Sequence, residues 1–172
     1  MIDFTKIDYL REGNERQKRA FEVLTKYKVF EKLSNFSPIL AGTIPIEIDI
    51  DGIDLDIICE VKDRVEFEKF LNKIFAEFDT DLNIETVRIK EIESTICNFK
   101  LDGFPIEIFG QDKPTTQQNA YLHMIAEHKI LQEKGKDFKQ KIIELKKEGM
   151  KTEPAFGMLL NLENPYEDLL KF

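Results

Sequence analysis

The sequence has no tryptophan, only two cysteines, and no apolar run of about eighteen residues, the length that a membrane-spanning helix needs. A membrane span is therefore not expected, and residues 1–6 lack the basic flank and apolar stretch of a signal peptide. Cys59 and Cys97 both lie in apolar, strand-like runs, where a free thiol behaves as a small hydrophobic residue. This cysteine usage predicts a reducing, cytoplasmic setting and a fold that needs no disulfide.

Basic charge is also scarce. The chain has 25 Lys and Arg residues against 33 Asp and Glu residues, which gives a net charge of -8. Nucleic-acid-binding proteins usually concentrate basic residues in a stripe or domain. We therefore do not expect nucleic acid as the main partner, and the acidity disfavours an RNA-directed enzyme. The 42% of hydrophobic and 34% of charged residues are ordinary for a folded, globular chain.

Several catalytic motifs are absent. The sequence contains no glycine-rich dinucleotide fingerprint, no P-loop and no nucleophile elbow. His123 and His128 lie five positions apart, about 140° around a helix axis, whereas zinc-binding pairs on helices lie four apart. A zinc site is therefore not expected. With Gln117, Tyr121 and Glu127 these histidines form a polar stripe on an apolar helix. That stripe either contacts a base or acceptor or faces solvent, and the sequence leaves both interpretations open.

Hydrophobic periodicity predicts an α+β fold, with a mixed α/β part followed by a helical C-terminal part. Apolar residues at three- and four-residue steps predict helices over 14–35 and 62–78. Strands are predicted at 38–41, 84–92, 94–101 and 104–109, with Asp102-Gly103 as a hairpin turn between the last two.

The character of the sequence changes to helical after Pro114. Thr115 and Gln118 have the spacing of a capping box, Gly135 and Gly149 are predicted to end helices, and two short helices are expected after Glu153 and Asn164. We therefore divide the chain into a mixed α/β core, 1–112, and a C-terminal helical part, 113–172, packed on that core.

The segment 45–59 has two possible shapes. Asp51-Gly52 between alternating segments is typical of a two-residue hairpin. Such a hairpin would pair Asp49 with Asp54 and Glu47 with Asp56, and each close pair of carboxylates would repel by roughly 4 kcal/mol. Either a divalent ion lies on this face, or the strands diverge before the charges meet.

Three acidic residues have the pattern of a metal site. Asp54 and Asp56 are two apart in a strand-like run and thus share one side of it, and Glu107 interrupts an otherwise apolar strand, where a carboxylate needs a partner. Nucleotidyl and phosphoryl transfer use divalent ions held by such oxygen ligands. The small-residue corner Gly42-Thr43 could bring backbone N–H groups and a hydroxyl to phosphate oxygens.

These residues resemble the signature of the nucleotidyltransferase superfamily with the polymerase-beta-like fold. That signature is Gly-Gly/Ser, a spacer, Asp-hydrophobic-Asp/Glu, and a third acid on a distant strand. Within it, the Gly42-Thr43-Ile44-Pro45 corner and the Asp54-Leu55-Asp56-Ile57 strand are most similar to a bacterial domain family of unknown function. The resemblance implies a nucleotidyltransferase-like mixed sheet flanked by helices, with C-terminal helices that close the nucleotide or acceptor pocket. It also implies that Asp54, Asp56 and Glu107 bind Mg²⁺ (or Mn²⁺) and that Gly42 and Thr43 contact the triphosphate.

The resemblance thus predicts a metal-dependent enzyme that transfers a nucleotidyl group from a nucleoside triphosphate to a small-molecule or protein acceptor, with a small acceptor expected. An alternative is a catalytically inactive nucleotide-binding or protein-interaction module on the same fold. That alternative is motivated by Ile53, where relatives carry a small or polar residue, and by Glu107 in place of the usual third Asp.

Overall fold

The computed structural model describes residues 2–172, which form six α-helices around one mixed sheet of five strands. The strands are β1 (Ile39–Ala41), β2 (Leu55–Glu60), β3 (Asn83–Ile89), β4 (Ile92–Leu101) and β5 (Phe104–Gln111). The helices are α1 (Glu15–Lys26), α2 (Val29–Lys32), α3 (Arg64–Phe75), α4 (Asn119–Lys147), α5 (Thr152–Leu160) and α6 (Pro165–Asp168). In space the strands follow the order β1-β2-β5-β4-β3; β2 and β5 run parallel, and the other neighbouring pairs are antiparallel. The α+β prediction is confirmed.

The two faces of the sheet are covered by different helices. Because side chains alternate along a strand, Leu55 and Ile57 of β2 point into a core shared with α1 and α3, while Ile58 joins a second core with Met124 of α4 and Phe156 of α5. Asp56, between Leu55 and Ile57, is thereby placed on the face that the C-terminal helices cover.

The first predicted helix is shorter than expected. A capping box of Asn14 and Gln17 starts α1, but the helix ends at Lys26, and Lys28 takes a left-handed conformation with φ 53°. The prediction of one continuous helix over 14–35 is therefore wrong beyond Lys26, because a left-handed residue redirects the chain into the short helix α2. The second predicted helix, the strands and the Asp102-Gly103 turn agree with α3, β3, β4 and β5.

The hairpin over 45–59 is wrong, and with it the face of four carboxylates. Residues 44–47 form a turn, in which the Glu47 N–H donates to the Ile44 carbonyl oxygen at 3.2 Å. The acidic side chains before β2 then reach separate cations: Glu47 pairs with Lys139, and Asp49 lies 3.2 Å from Arg16. Separate partners remove the repulsion that the ladder would have required.

The predicted capping box at Thr115 and Gln118 is also wrong. Residues 115–117 form a short 3-10 helix, and Gln118 is instead the N-cap residue of α4. Its side-chain amide donates 3.0 Å hydrogen bonds to the carbonyl oxygens of Cys59 and Lys113, which ties the start of α4 to β2.

The predicted glycine breaks in the helical part agree with the structure. At Gly135 the backbone leaves the helical region (φ 78°, ψ -168°) and kinks α4, and Gly149 follows its end with φ 97°. The helices α5 and α6 correspond to the two short predicted helices. Within residues 2–172 the helices are all too short or too polar to cross a membrane.

Candidate functional site

A cavity of about 700 Å³ lies between the sheet face that carries Asp56 and the C-terminal helices α4 and α5. The wall formed by the sheet contains all five residues that the sequence analysis selected for a site. They are Asp54, Asp56, Glu107, Gly42 and Thr43.

Asp56 and Glu107 are direct partners across the parallel β2–β5 pair. Burial raises the pKa of Asp56 to about 7, and the charges of Glu107 and Asp54 add to that effect. Burial also raises the pKa of Glu107, again with a contribution from Asp54. Neither carboxyl accepts a hydrogen bond from residues 2–172 that would offset the repulsion. The arrangement therefore concentrates negative charge on one wall and leaves it without a cation in contact.

Gly42 follows β1 directly and lies against the carboxyl group of Asp56. Its φ is +80°, and a Cβ built there would come 2.3 Å from Asp56 Oδ2. A side chain at position 42 would thus collide with the carboxylate. Because Gly42 has no Cβ, it leaves the space that the Asp56 side chain occupies.

Thr43, the other half of this corner, has a buried hydroxyl oxygen without a hydrogen-bond partner among the described residues. A buried hydroxyl with no partner costs free energy, so such groups tend to occur where a ligand completes them. Thr43 also lines the cavity.

The donor set suits a hard divalent cation, since it consists of carboxylates and a hydroxyl. In the described part of the chain, however, no three His, Cys, Asp or Glu side chains have the spacing of a metal site.

The opposite wall of the cavity comes from the C-terminal helices and carries His123, Glu127, Lys146 and Glu153. His123 Nδ1 lies 3.4 Å from Glu153 Oε1, and the Lys146 ammonium donates a 2.6 Å hydrogen bond to the carbonyl oxygen of Ile48. Glu127 is 4% exposed. Burial raises its pKa to about 8, with a further contribution from the charge of Glu153.

Residues 22–172 match the protein family described as a domain of unknown function, DUF4269. The chain belongs to this family. No curated protein sequence matches it.

Solved structures similar to this DUF4269 chain are nucleotidyltransferases. The Cid1 poly(U) polymerase with MgGTP bound superposes with a TM-score of 0.55 at 9% identity, over 81% of this chain and 46% of that one. The polymerase core of TRAMP, an RNA surveillance complex, gives a TM-score of 0.55 at 11% identity, over 95% and 50%. A cytoplasmic RNA terminal U-transferase gives 0.51 at 13% identity, over 81% and 42%.

At these identities the likeness shows the fold, which is that of the nucleotidyltransferases. The DUF4269 chain spans half or less of the length of each of these structures. By their names they act on RNA, so the expectation that nucleic acid is an unlikely partner is not supported by these comparisons.

The polar stripe of the α4 region divides between two places in the DUF4269 chain. His123 and Glu127 are buried at the cavity, whereas Gln117 is exposed and His128 packs edge-on against Phe4 at 5.0 Å. Tyr121 packs against the second core. Hydrophobic periodicity places all of them on neighbouring helix faces, but it cannot tell which face covers a cavity.

Sequence reasoning missed two charged residues on the helical wall of the cavity. Lys146 belongs to a run of lysines on the second half of α4, and Glu153 lies in the first turn of α5. Acidic residues are common in first turns and basic residues in last turns, so neither position stands out without the fold.

Proposed function

We propose that this chain is a metal-dependent nucleotidyltransferase that moves a nucleotidyl group from a nucleoside triphosphate to a small acceptor. One observation carries the proposal: Asp54, Asp56 and Glu107 lie on one wall of a cavity, next to the Gly42-Thr43 corner. The nucleotidyltransferase fold of the chain and the MgGTP bound to one structural neighbour support it.

The residues on this wall fit a divalent ion and a phosphate chain. Burial and mutual repulsion raise the pKa of Asp56, so a cation bound there would relieve a cost that the folded protein otherwise carries. The Thr43 hydroxyl has no partner in the protein and could donate a hydrogen bond to a phosphate oxygen. Asp54, Asp56 and Glu107 would hold Mg²⁺ or Mn²⁺. The ion would neutralise charge on the phosphates.

In the proposed reaction a hydroxyl oxygen of the acceptor forms a bond to the α-phosphorus of the nucleotide. The bond from that phosphorus to the α–β bridging oxygen breaks, and pyrophosphate leaves. The hydroxyl proton passes to Glu107, the carboxylate that lies beside Asp56 on the neighbouring strand. Gly42 and Thr43 hold the phosphate chain in line for the attack.

We expect magnesium together with a non-hydrolysable ATP analogue to stabilise the wild-type protein. At a ligand concentration of about 100 times Kd, linkage gives roughly 2.7 kcal/mol, or about 5–10 °C in Tm for a chain of this length. Thermal unfolding with and without the two ligands measures the shift. The double variant Asp54→Asn/Asp56→Asn should lose it.

The matched control is Asp8→Asn/Asp81→Asn, which removes the same two charges from exposed positions outside the cavity. It should keep the full shift. An equal shift in the Asp54→Asn/Asp56→Asn variant, or none in the wild type, would reject the proposal. Binding without metal-dependent pyrophosphate release, across an acceptor pool that includes proteins, would instead support the inactive binding module.

Replacing Thr43 tests the phosphate contact separately. Thr43→Val keeps the shape and removes a hydroxyl that has no partner, so the unliganded protein should be unchanged or about 1 kcal/mol more stable. Affinity for magnesium and nucleotide should fall roughly tenfold, because a hydrogen bond to a charged group is lost. Calorimetric titration measures the affinity. Thr43→Ser, which retains the hydroxyl, is the control, and equal affinity in the two variants would exclude the contact.

RNA is the second candidate acceptor, because the structural neighbours are named as RNA-acting enzymes. The net charge of -8 opposes this alternative, since binding to a polyanion depends on released counterions and basic contacts. Salt-sensitive binding of single-stranded RNA, measured by fluorescence anisotropy, would favour it over a small acceptor.

A further inference from the structure

Glu127 is a buried acid that faces the cavity without a partner of its own. It lies on α4, on the wall opposite the sheet carboxylates, and is only 4% exposed. Among the described residues, no group donates a hydrogen bond to its carboxyl oxygens; nearby charges act on it only from a distance. Buried carboxylates are normally ion-paired and hydrogen-bonded, and Glu127 has neither kind of partner among the described residues.

The two basic residues near Glu127, His123 and Lys146, contact other groups. His123 has one ring nitrogen 3.4 Å from Glu153 and the other 2.9 Å from the carbonyl oxygen of Tyr166. Lys146 donates to the carbonyl oxygen of Ile48 at 2.6 Å. Of the two acids on this wall, Glu153 therefore has a contact partner and Glu127 does not.

An ammonium group satisfies this site better than a neutral donor. A neutral N–H would supply only a hydrogen bond, whereas an ammonium supplies a hydrogen bond and the opposite charge that stabilises the ionised form of the carboxyl. The acidic surface of the chain, at a net charge of -8, also raises the local concentration of cations. Apolar side chains between the two walls, including Ile58, Phe109 and Met124, can cover the carbon skeleton of a small molecule.

We propose that Glu127 binds an ammonium group of the acceptor, and hence that the acceptor is a small amine that also carries a hydroxyl group. This inference rests on the proposed function, because a bound amine is an acceptor only if the sheet residues opposite Glu127 bind a nucleotide. The amine would be held from the C-terminal helices, with its hydroxyl directed toward the sheet.

The test uses amino sugars and amino alcohols, beginning with glucosamine, each compared with its N-acetylated partner. Each pair shares its hydroxyl groups and differs in the charge on nitrogen. Binding is measured by calorimetric titration and ligand-observed NMR on the full chain, without metal or nucleotide. We expect at least one amine to bind roughly tenfold or more tightly than its acetylated partner, as loss of a charged hydrogen bond implies.

The variant Glu127→Gln keeps the size of the side chain and removes its charge, and it should abolish the preference for the amine. Glu133→Gln, at an exposed position of the same helix, is the matched control and should keep it. The Tm of each variant without ligand checks that both fold. No preference for amines across the panel, or an undiminished preference in Glu127→Gln, would overturn the inference. A change in the preference for ATP over GTP in Glu127→Gln, with amine binding intact, would overturn it in favour of base recognition.

These outcomes are separable from those for the proposed function. Stabilisation by magnesium and nucleotide without any amine preference would reject only the acceptor class. Amine binding that depends on Glu127, in a protein that does not respond to magnesium and nucleotide, would leave a cation-binding cavity and reject the transferase.

Discussion

Asp56→Asn is expected to stabilise the metal-free protein by about 4 kcal/mol at pH 8 and to abolish nucleotidyl transfer. The pKa of Asp56 is raised from about 3.8 to about 7, so the folded state holds a proton that the unfolded state releases. Stability is therefore lost as the pH rises from the unfolded to the folded pKa, at about 1.4 kcal/mol per unit. Asparagine has no such titration. Chemical denaturation of both proteins from pH 4 to pH 8 measures the difference, which should shrink below about 1 kcal/mol at pH 4.

Magnesium with nucleotide should narrow this difference in stability, by about 2.7 kcal/mol at 100 times Kd. In the wild type a bound ion compensates Asp56, Glu107 and Asp54, while the Asn variant offers one charged ligand fewer and should show no metal-dependent rise in Tm. A stability gain with lost function is the pattern of a site that carries strain for its chemistry. Asp81→Asn is the exposed control and should follow the wild type at every pH. If Asp56→Asn instead lowers stability at pH 8, the carboxylate is a structural group and the electrostatic account of this wall is wrong.

Gly42→Ala should unfold more easily by about 2–4 kcal/mol and fail to bind magnesium and nucleotide. Two costs combine: a left-handed backbone, worth about 1 kcal/mol for alanine, and a contact of 2.3 Å between the new Cβ and Asp56 Oδ2, worth about 1–3 kcal/mol if the carboxylate moves. Moving that carboxylate displaces the proposed metal ligand. Urea denaturation and the ligand-induced Tm shift measure the two effects.

Gly52→Ala is a closely matched control, because Gly52 also has a φ of +80° but a Cβ there meets nothing within 4 Å. It should cost only the backbone term, about 1 kcal/mol, and keep the response to ligand. Repeating Gly42→Ala in an Asp56→Ala background removes the collision, so the two substitutions should show a coupling of about 1–3 kcal/mol. Equal costs for the two alanines in the wild-type background would exclude the contact with Asp56.

The sheet residues of the candidate site could be predicted from the sequence because local patterns mark them. Alternation placed Asp54 and Asp56 on one side of a strand, and Glu107 was conspicuous as the single acid in an apolar run. Neither rule states which strands are neighbours. The Asp51-Gly52 turn signal suggested a hairpin, whereas the structure pairs β2 with β1 and β5. Long-range ion pairs favour the observed structure over the hairpin, since Asp49 pairs with Arg16 and Glu47 pairs with Lys139.

The residues of the helical wall were harder to predict because they come from distant positions on different helices. His123 and Glu127 were noticed as part of a polar stripe, yet their burial depends on how α4 crosses the sheet and bends at Gly135. Lys146 reaches the cavity only because the chain returns after that kink. The Gly135 break itself was predicted, since a glycine inside a helical pattern is a local signal.

The parallel pairing of β2 with β5 has a consequence for the order of folding. Antiparallel neighbours such as β4 and β5 can form as a local hairpin, but β2 must wait for a strand that comes after α3, β3 and β4. Closing so long a loop is slow, and contacts of high sequence separation usually form late. Asp56 and Glu107 meet only at that step, so the repulsion between them opposes the docking of the central strands. A divalent ion would act at the same point, and the protein would acquire its metal affinity as one of the last events of its folding.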